Sequence, residues 1–408
     1  MTVLRGKLVV AQSGGPTPVF NNSACGVIQE ALQHDDVFDG VYGASNGIMG
    51  ILHEDLIDLR QEAPATIEGL RRTPASTIGS CRKKLDQTDM ERILAVFKAH
   101  NIRYFFYNGG NDSMDTANKV HQMATAAGYE MRVFGIPKTV DNDLVETDHC
   151  PGFGSAARFM ALATRDVGRD TESNALTTTP ICVMEAMGRD AGWLTGATAV
   201  GRRDERDAPH LIYLPEIPFT LEKLFRDVQN VYDRLGFVVI AASEGIRSPA
   251  GELLAKSSVM DAFGHAQLGG VGDFLAKQIS ANLKIKARAN IAGTIQRAMI
   301  STASQLDLNE AYLVGQMGVK YALEGHSGYM VALVRTSNAP YVCTTGIAPL
   351  DKVANAAKSI PRAMINAAGN DVNDAFLDYV TPLLGELPLD YIRFERHGVG
   401  KLLTPYRR

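Results

Sequence analysis

Short, mostly apolar runs alternate along this chain with longer stretches of helical periodicity. Leu8-Val9-Val10-Ala11, Arg103 to Tyr107, Met131-Arg132-Val133-Phe134, Ile181-Cys182-Val183-Met184 and Phe237-Val238-Val239-Ile240-Ala241 have the length of strands and lack apolar–polar alternation. That is the pattern of strands buried on both faces. Asn21 to Gln33 and about Ser113 to Ala127 read as helices, and a further helix containing Trp193 follows the run at 181–186. The alternation predicts an α/β chain whose mostly parallel sheets are covered by helices on both sides. No fixed-period repeat, low-complexity segment or Pro/Ser-rich linker interrupts it.

The ends of these runs carry the candidate chemistry, because open α/β sheets bind ligands beyond the carboxyl ends of their strands. Gly135-Ile-Pro-Lys-Thr-Val-Asp-Asn-Asp143 follows the run at 131–134, with the strand expected to end in a turn at Pro137. It presents Lys138, Thr139, Asp141 and Asp143 together. Two carboxylates two residues apart can divide labour, one accepting a proton while the other helps hold a cation. The lysine offers a mobile point charge suited to a phosphate. Ser13-Gly14-Gly15-Pro16 follows the first strand, and its glycines let backbone N–H groups approach an anion; it reads equally as an ordinary strand-to-helix turn. Gly109-Gly110-Asn111-Asp112-Ser113 opens a helix, where a phosphate can rest and where Asn, Asp and Ser are also favoured caps.

Composition narrows the class. The chain has 408 residues, 45% of them apolar, which argues for a sizeable core and against disorder. A net charge of −4 argues against a nucleic-acid or membrane-surface protein. The five cysteines are widely spaced and odd in number, as expected of reduced thiols in a cytoplasmic protein. The opening residues hold too short an apolar run for a secretory signal, and no run approaches the length of a membrane span.

Taken in order, Gly14-Gly15, Gly109 to Ser113, the nonapeptide at 135–143, Met187-Gly188-Arg189, Glu244, Arg288 and Gly293 to Arg297 resemble the phosphofructokinase family over about three quarters of the chain. Aspartate at 112 and lysine at 138, where ATP-using members usually have glycine, resemble its pyrophosphate-dependent branch. The resemblance implies two Rossmann-like lobes: residues 1–150 for pyrophosphate and magnesium, with part of 291–408 returning to it, and residues 151–290 for a sugar phosphate. Residues 340–408 form an extension with no assigned role. The implied activity is reversible transfer of a phosphoryl group from pyrophosphate to fructose 6-phosphate, with Mg2+, in a homodimer or homotetramer. Alternatives are an ATP-dependent member of the family and, in another class, a non-catalytic sugar-phosphate sensor.

The resemblance also assigns roles. Asp141 is the general base, and Lys138, Asp112, Thr139 and Arg189 complete the catalytic set. Gly15, Arg82, Gly110 and Lys138 contact pyrophosphate. Thr139, Val140, Asp141, Met187, Gly188, Arg189, Glu244, Arg288 and Arg297 contact the sugar phosphate, the last two at its 6-phosphate. Asn111 and Asp143 hold the metal, although the family usually has aspartate at the place of Asn111, which shifts load to Asp112 or Asp143. Pro180 and Thr294 stand where relatives carry an arginine and a histidine. Arg393, Arg396, His397 and Lys401 make a basic cluster that either completes a phosphate site or is a charged tail.

Overall fold

In the computed structural model the described residues are 4–260, 266–388 and 391–403. The chain first lays down β1 (Gly6–Gln12), β2 (Phe38–Ala44), β3 (Leu56–Asp58), β4 (Ile102–Gly109) and β5 (Arg132–Pro137). It continues with β6 (Ile181–Ala186), β7 (Leu211–Tyr213), β8 (Val238–Ser243), a hairpin of β9 (Lys256–Met260) and β10 (Ala266–Leu268), and β11 (Ala287–Ile291). It then returns with β12 (Tyr329–Asn338) and β13 (Tyr341–Pro349).

These strands form two main sheets. The larger runs β13-β12-β5-β4-β1-β2-β3 and is parallel except at its edge pairs, β12 with β13 and β2 with β3. The smaller, β11-β6-β8-β7, is parallel throughout. Side-chain alternation explains the mostly apolar runs: in β4, Phe105 and Tyr107 enter one core cluster while Tyr104 and Phe106 enter that on the opposite face. Both faces are covered, so neither set can be polar. β5 extends through Pro137, so the turn expected there begins at Lys138 instead. Proline is tolerated at the strand's last residue because little of the ladder remains to be served by its missing N–H.

The helices obey local rules where they are exposed. Leu221–Leu235 is capped by Thr220, whose hydroxyl accepts from the Lys223 N–H, and ends on Gly236 in the left-handed region. Asp86 and Asp89 form a reciprocal capping box at the start of Gln87–Ala99. No helix among the described residues is long and apolar enough to cross a membrane.

A boundary at 340 falls inside the β12–β13 hairpin, which adds two strands to the first sheet. Beyond it the chain crosses over. Helix Asp374–Leu384 buries Phe376, Val380, Leu383 and Leu384 with Trp193 and Leu194 in a core cluster of the second lobe. The extension therefore links the two lobes.

Helix Gln305–Leu323 is fixed to helix Phe20–Ala31 by interlocking glycines. A Cβ on Gly315 would strike the Ser23 carbonyl, and one on Gly26 would strike that of Tyr312. Backbone cannot rotate away as a side chain does, so the helix pair would have to separate. Gly315→Ala is expected to destabilise the protein by about 1–3 kcal/mol despite its better helix propensity. A urea midpoint at or above that of the parent chain would contradict the interlock.

Candidate active site

The strand order decides which loops meet. β5, β4 and β1 are adjacent and parallel. Their carboxyl ends deliver Lys138–Asp143, Gly110–Ser113 and Ser13–Gly15 to one rim. From the second sheet, β6 delivers Arg189–Ala191, and the short turn after β11 delivers Arg297. These segments, with Arg82, enclose a cavity of about 460 Å3, within the range of small-molecule sites. Gly15, Arg82, Gly110, Asn111, Asp112, Lys138, Thr139, Val140, Asp141, Asp143, Arg189 and Arg297 all line it. Met187, Gly188 and Glu244 stand just behind: the Glu244 carboxylate accepts from the Gly188 N–H at 3.4 Å.

Local backbone chemistry builds the walls. Gly14 sits at φ +83, where its N–H reaches the Cys81 carbonyl at 3.0 Å and its own carbonyl accepts from Ser80 Oγ at 2.7 Å. That stitching brings Arg82 beside the first loop. Helix Asn111–Ala126 begins two residues earlier than expected. Its N-cap is Gly110, with no side-chain cap, so its N-terminus opens on the cavity, an arrangement that favours anions.

Lys138 is only 3% exposed. Its Nζ donates to the Gly15 carbonyl at 2.8 Å and lies 4.6 Å from the centre of the Phe20 ring. Burial first, then the charges of Arg297 and Arg82, lower its pKa to about 7. Asp141 shows the opposite shift. Burial, then Asp143 and Glu244, raise it to about 7. Burial also raises Glu244 and lowers Arg297. The cavity thus crowds like charges of both signs together, and such perturbed groups are a frequent property of functional sites.

Asn111 Nδ2 donates to Asp143 Oδ2 at 3.3 Å, while Asn111 Oδ1 and Asp143 Oδ1 are buried without a hydrogen-bond partner. Two unpartnered oxygens on a cavity wall suit a hard cation that keeps its remaining positions for water and phosphate. No cluster of three or more His, Cys, Asp or Glu exists among the described residues, so the protein alone offers no full cage.

The two expected 6-phosphate arginines are not found together. The Arg297 guanidinium lies over Gly15, where a Cβ would collide with it. It lies close to Lys138 and Arg82 on the same cavity. Arg288 lies outside this cavity. It pairs with Asp170, donates to Thr171 Oγ1 at 3.2 Å and lines a separate cavity with Asp273 and Lys277. The two residues are nine apart, but the strand end and tight turn between them carry them to different surfaces. Arg393 is likewise elsewhere: it pairs with Glu172, Asp204 and Asp207, and with Arg396 it lines a cavity against helix Phe153–Asn174.

Other residues were missed. Gln296, 1% exposed, accepts from the Met187 N–H at 3.0 Å and donates to the Gly293 carbonyl at 2.8 Å, so it ties the β6 loop to the turn bearing Arg297. Its place beside Arg297 was the available signal. Asn355, Ala356 and Ala357 also line the cavity, and nothing in their small, unremarkable side chains announces it.

Comparison with known proteins agrees with this architecture. Residues 7–322 match the family model described as Phosphofructokinase. A protein named pyrophosphate–fructose 6-phosphate 1-phosphotransferase from Halomonas elongata is 45% identical over 398 residues, covering 96% of this chain and 94% of its own. One of the same name from Methylococcus capsulatus is 44% identical over 408 residues, covering 97% of each. The crystal structure of a pyrophosphate-dependent phosphofructokinase from Nitrosospira multiformis superposes with a TM-score of 0.86 at 38% identity, covering 98% of this chain and 99% of that one. The chain belongs to the phosphofructokinase family.

The raised Asp141 has a consequence for stability. In the unfolded chain its carboxyl ionises near the ordinary 3.8, whereas in the fold it holds its proton to about 7. The folded state therefore binds more protons between those values, and stability falls as pH rises through them. Asp141→Asn removes this penalty. Its Tm at pH 8 is expected to exceed the parent's by about 2–4 °C, with the gain fading toward pH 4. A gain that grows on acidification, or a loss at pH 8, would contradict the assignment of Asp141 as a desolvated carboxylate.

Proposed function

We propose that the chain transfers a phosphoryl group reversibly from pyrophosphate to the 1-hydroxyl of D-fructose 6-phosphate, giving fructose 1,6-bisphosphate and phosphate. The observation that carries this reading is the seating of Asp112 and buried Lys138 in the same cavity as Asp141. A general base faces the cation group needed by an inorganic donor, and the charged side chain of Asp112 occupies space that a nucleotide would need.

Asp141 accepts the proton of the 1-hydroxyl as that oxygen forms its bond to phosphorus. The bridging P–O bond breaks, and the leaving phosphate keeps the electron pair. Lys138, Arg82 and Arg297 stabilise the charge that grows there. Thr139 and Asp143 support the reacting end of the turn. Arg189 and Glu244 hold the sugar phosphate from the second lobe, Arg189 by charge and Glu244 by accepting from hydroxyls. Asn111 and Asp143 would hold Mg2+, which when bound neutralises and orients the donor phosphates.

The charge field also suits the reactants. Burial first, and then Arg297 and Arg82 beside it, depress the proton affinity of Lys138. Pyrophosphate supplies the missing negative charge and restores the ammonium. Donor binding and activation of Lys138 are thus one event.

Arg288, outside its own chain's cavity, is accounted for by a symmetric homo-oligomer, dimer or tetramer, in which it serves a neighbouring copy. Ile291, Ile295 and Met299 lie on the same stretch at 49%, 55% and 38% exposure, an apolar face suited to such a contact. We place the enzyme in the cytoplasm, where both substrates are available to glycolysis and gluconeogenesis.

The direct test is a coupled assay comparing pyrophosphate with ATP on fructose 6-phosphate. Turnover with pyrophosphate and little or none with ATP is expected; comparable turnover with both would sink the donor assignment. Lys138→Met should lower kcat/KM for pyrophosphate by about 10²–10³-fold, the loss typical of one preorganised electrostatic contact. A change of only a few-fold would remove Lys138 from the transition state.

The pH dependence follows from the same groups. Asp141 must be ionised and Lys138 protonated, and each titrates at about 7 without substrate. The profile of kcat/KM is expected to be a narrow bell near neutrality, its limbs belonging to the coupled set. That of kcat should extend further to the alkaline side, because bound pyrophosphate holds the Lys138 proton. Identical alkaline limbs in the two profiles would contradict this linkage.

A further inference from the structure

The catalytic turn does not hold its own shape. Asn142 lies between the two catalytic-turn carboxylates in the left-handed region, φ +54, and is fully buried. A non-glycine residue keeps such a conformation only where its surroundings fix it. Its side chain provides the fixing: Oδ1 accepts from the Cys150 N–H at 3.0 Å, and Nδ2 donates to the Tyr379 hydroxyl at 2.9 Å. The Tyr379 hydroxyl in turn donates to the Asp148 carbonyl at 2.8 Å. One O–H thus ties both arms of the loop 138–152 to helix Asp374–Leu384.

A second tie comes from the irregular segment that precedes that helix. The Lys358 N–H donates to the Asp143 carbonyl at 2.7 Å. Its Nζ donates to the carbonyls of Thr147 and Asp148 at 3.1 and 2.7 Å. Its own carbonyl accepts from Trp193 Nε1 at 3.0 Å, so the same residue reaches the second lobe. Two residues on, the Ile360 N–H donates to Glu216 Oε1 at 3.0 Å, and that carboxylate also receives the Gly192 N–H of the β6 loop. Nearer the cavity, Asn355 Nδ2 donates to Asp115 on the helix that opens at the donor site.

Resting on the pyrophosphate-dependent reading above, we infer that Lys358 and Tyr379 are positioning residues of the reaction: together they clasp the Asp141–Asp143 turn and set it against the Arg189 loop of the other lobe. Neither residue touches the reacting atoms. They act through Asn142 and through backbone carbonyls, and therefore on the direction in which the two carboxylates face. The distance over which a reacting group can be misplaced is small, since displacement by about 1 Å costs on the order of 10²-fold in rate. Substrate affinity depends instead on Arg82, Arg189 and Glu244, which the clasp does not hold directly. The expected signature is a fall in kcat without a matching rise in KM.

The test uses Tyr379→Phe, which removes one oxygen and keeps the ring against Trp193, and Lys358→Met, which keeps the apolar stem. Val380→Ala is the control. Its side chain is fully buried in the same helix and has no polar group with which to hydrogen-bond the turn. Both clasp variants are expected to lower kcat by about 10–100-fold, with KM for both substrates within about three-fold of the parent. Val380→Ala should lower Tm at least as much and leave kcat within two-fold. Hydrogen exchange of the full-length, ligand-free protein should speed up over 138–152 in the clasp variants and stay unchanged in β4. The inference is overturned if kcat stays within two-fold in the clasp variants, if Val380→Ala reproduces the kcat loss, or if protection over 138–152 is unaltered. Should the parent chain itself fail to turn over pyrophosphate with fructose 6-phosphate, the activity reading falls. The exchange comparison would still decide the clasp.

Discussion

Crowding of like charges around one cleft, with Lys138 buried at its floor, is the constraint on which this molecule turns. Asp141 shares its surroundings with Asp143 and Glu244, and Lys138 shares its own with Arg82 and Arg297. Left to relax, such groups would move apart or take up solvent, because isolated buried charge is expensive. They stay together because each is carried on a strand end or on a loop stitched to one. The sheet supplies stiffness, and the loops convert it into a fixed electrostatic field that needs no reorganisation when phosphate charge develops.

The two lobes bring different things to this field. The first contributes Lys138 and Arg82, the helix N-terminus at Gly110 and the turn that carries Asp141. The second contributes Arg189 and Glu244 from the carboxyl ends of β6 and β8. Between them runs the C-terminal segment, which adds strands to one lobe, packs a helix into the core of the other and crosses the cleft at Asn355–Ile360. A segment with no motif of its own therefore joins the halves of the site, and the relative position of donor and acceptor groups depends on it.

Some of this was legible in the residues. Apolar runs of strand length announced the parallel sheets, because a strand covered on both faces admits no polar alternation. The ordered motifs picked out nearly the whole lining of the cavity, since each polar cluster directly follows an apolar run and strand ends are where such folds bind ligands. Errors were local or relational. Pro137 reads as a turn residue but closes β5, and Ser113 reads as a helix start although the helix opens at Asn111.

What the sequence determined by itself is therefore the alternation of strands and helices, the family its ordered motifs resemble, and the polar clusters that line the cavity, Asp141 and Lys138 among them. These rest on short-range patterns: hydrophobic period, turn chemistry and residue types at fixed spacing. Tertiary structure alone decided the partners. It separated Arg288 from Arg297 across nine residues and laid Arg297 over Gly15. It withdrew Arg393 into the acidic group of Glu172, Asp204 and Asp207, and brought Lys358 and Tyr379 more than two hundred residues along the chain to the loop that carries Asp141. The reason is physical. Burial and hydrogen-bond pairing are set by what packs across space, and chain crossings between two sheets place side by side residues whose separation in sequence carries no periodic signal.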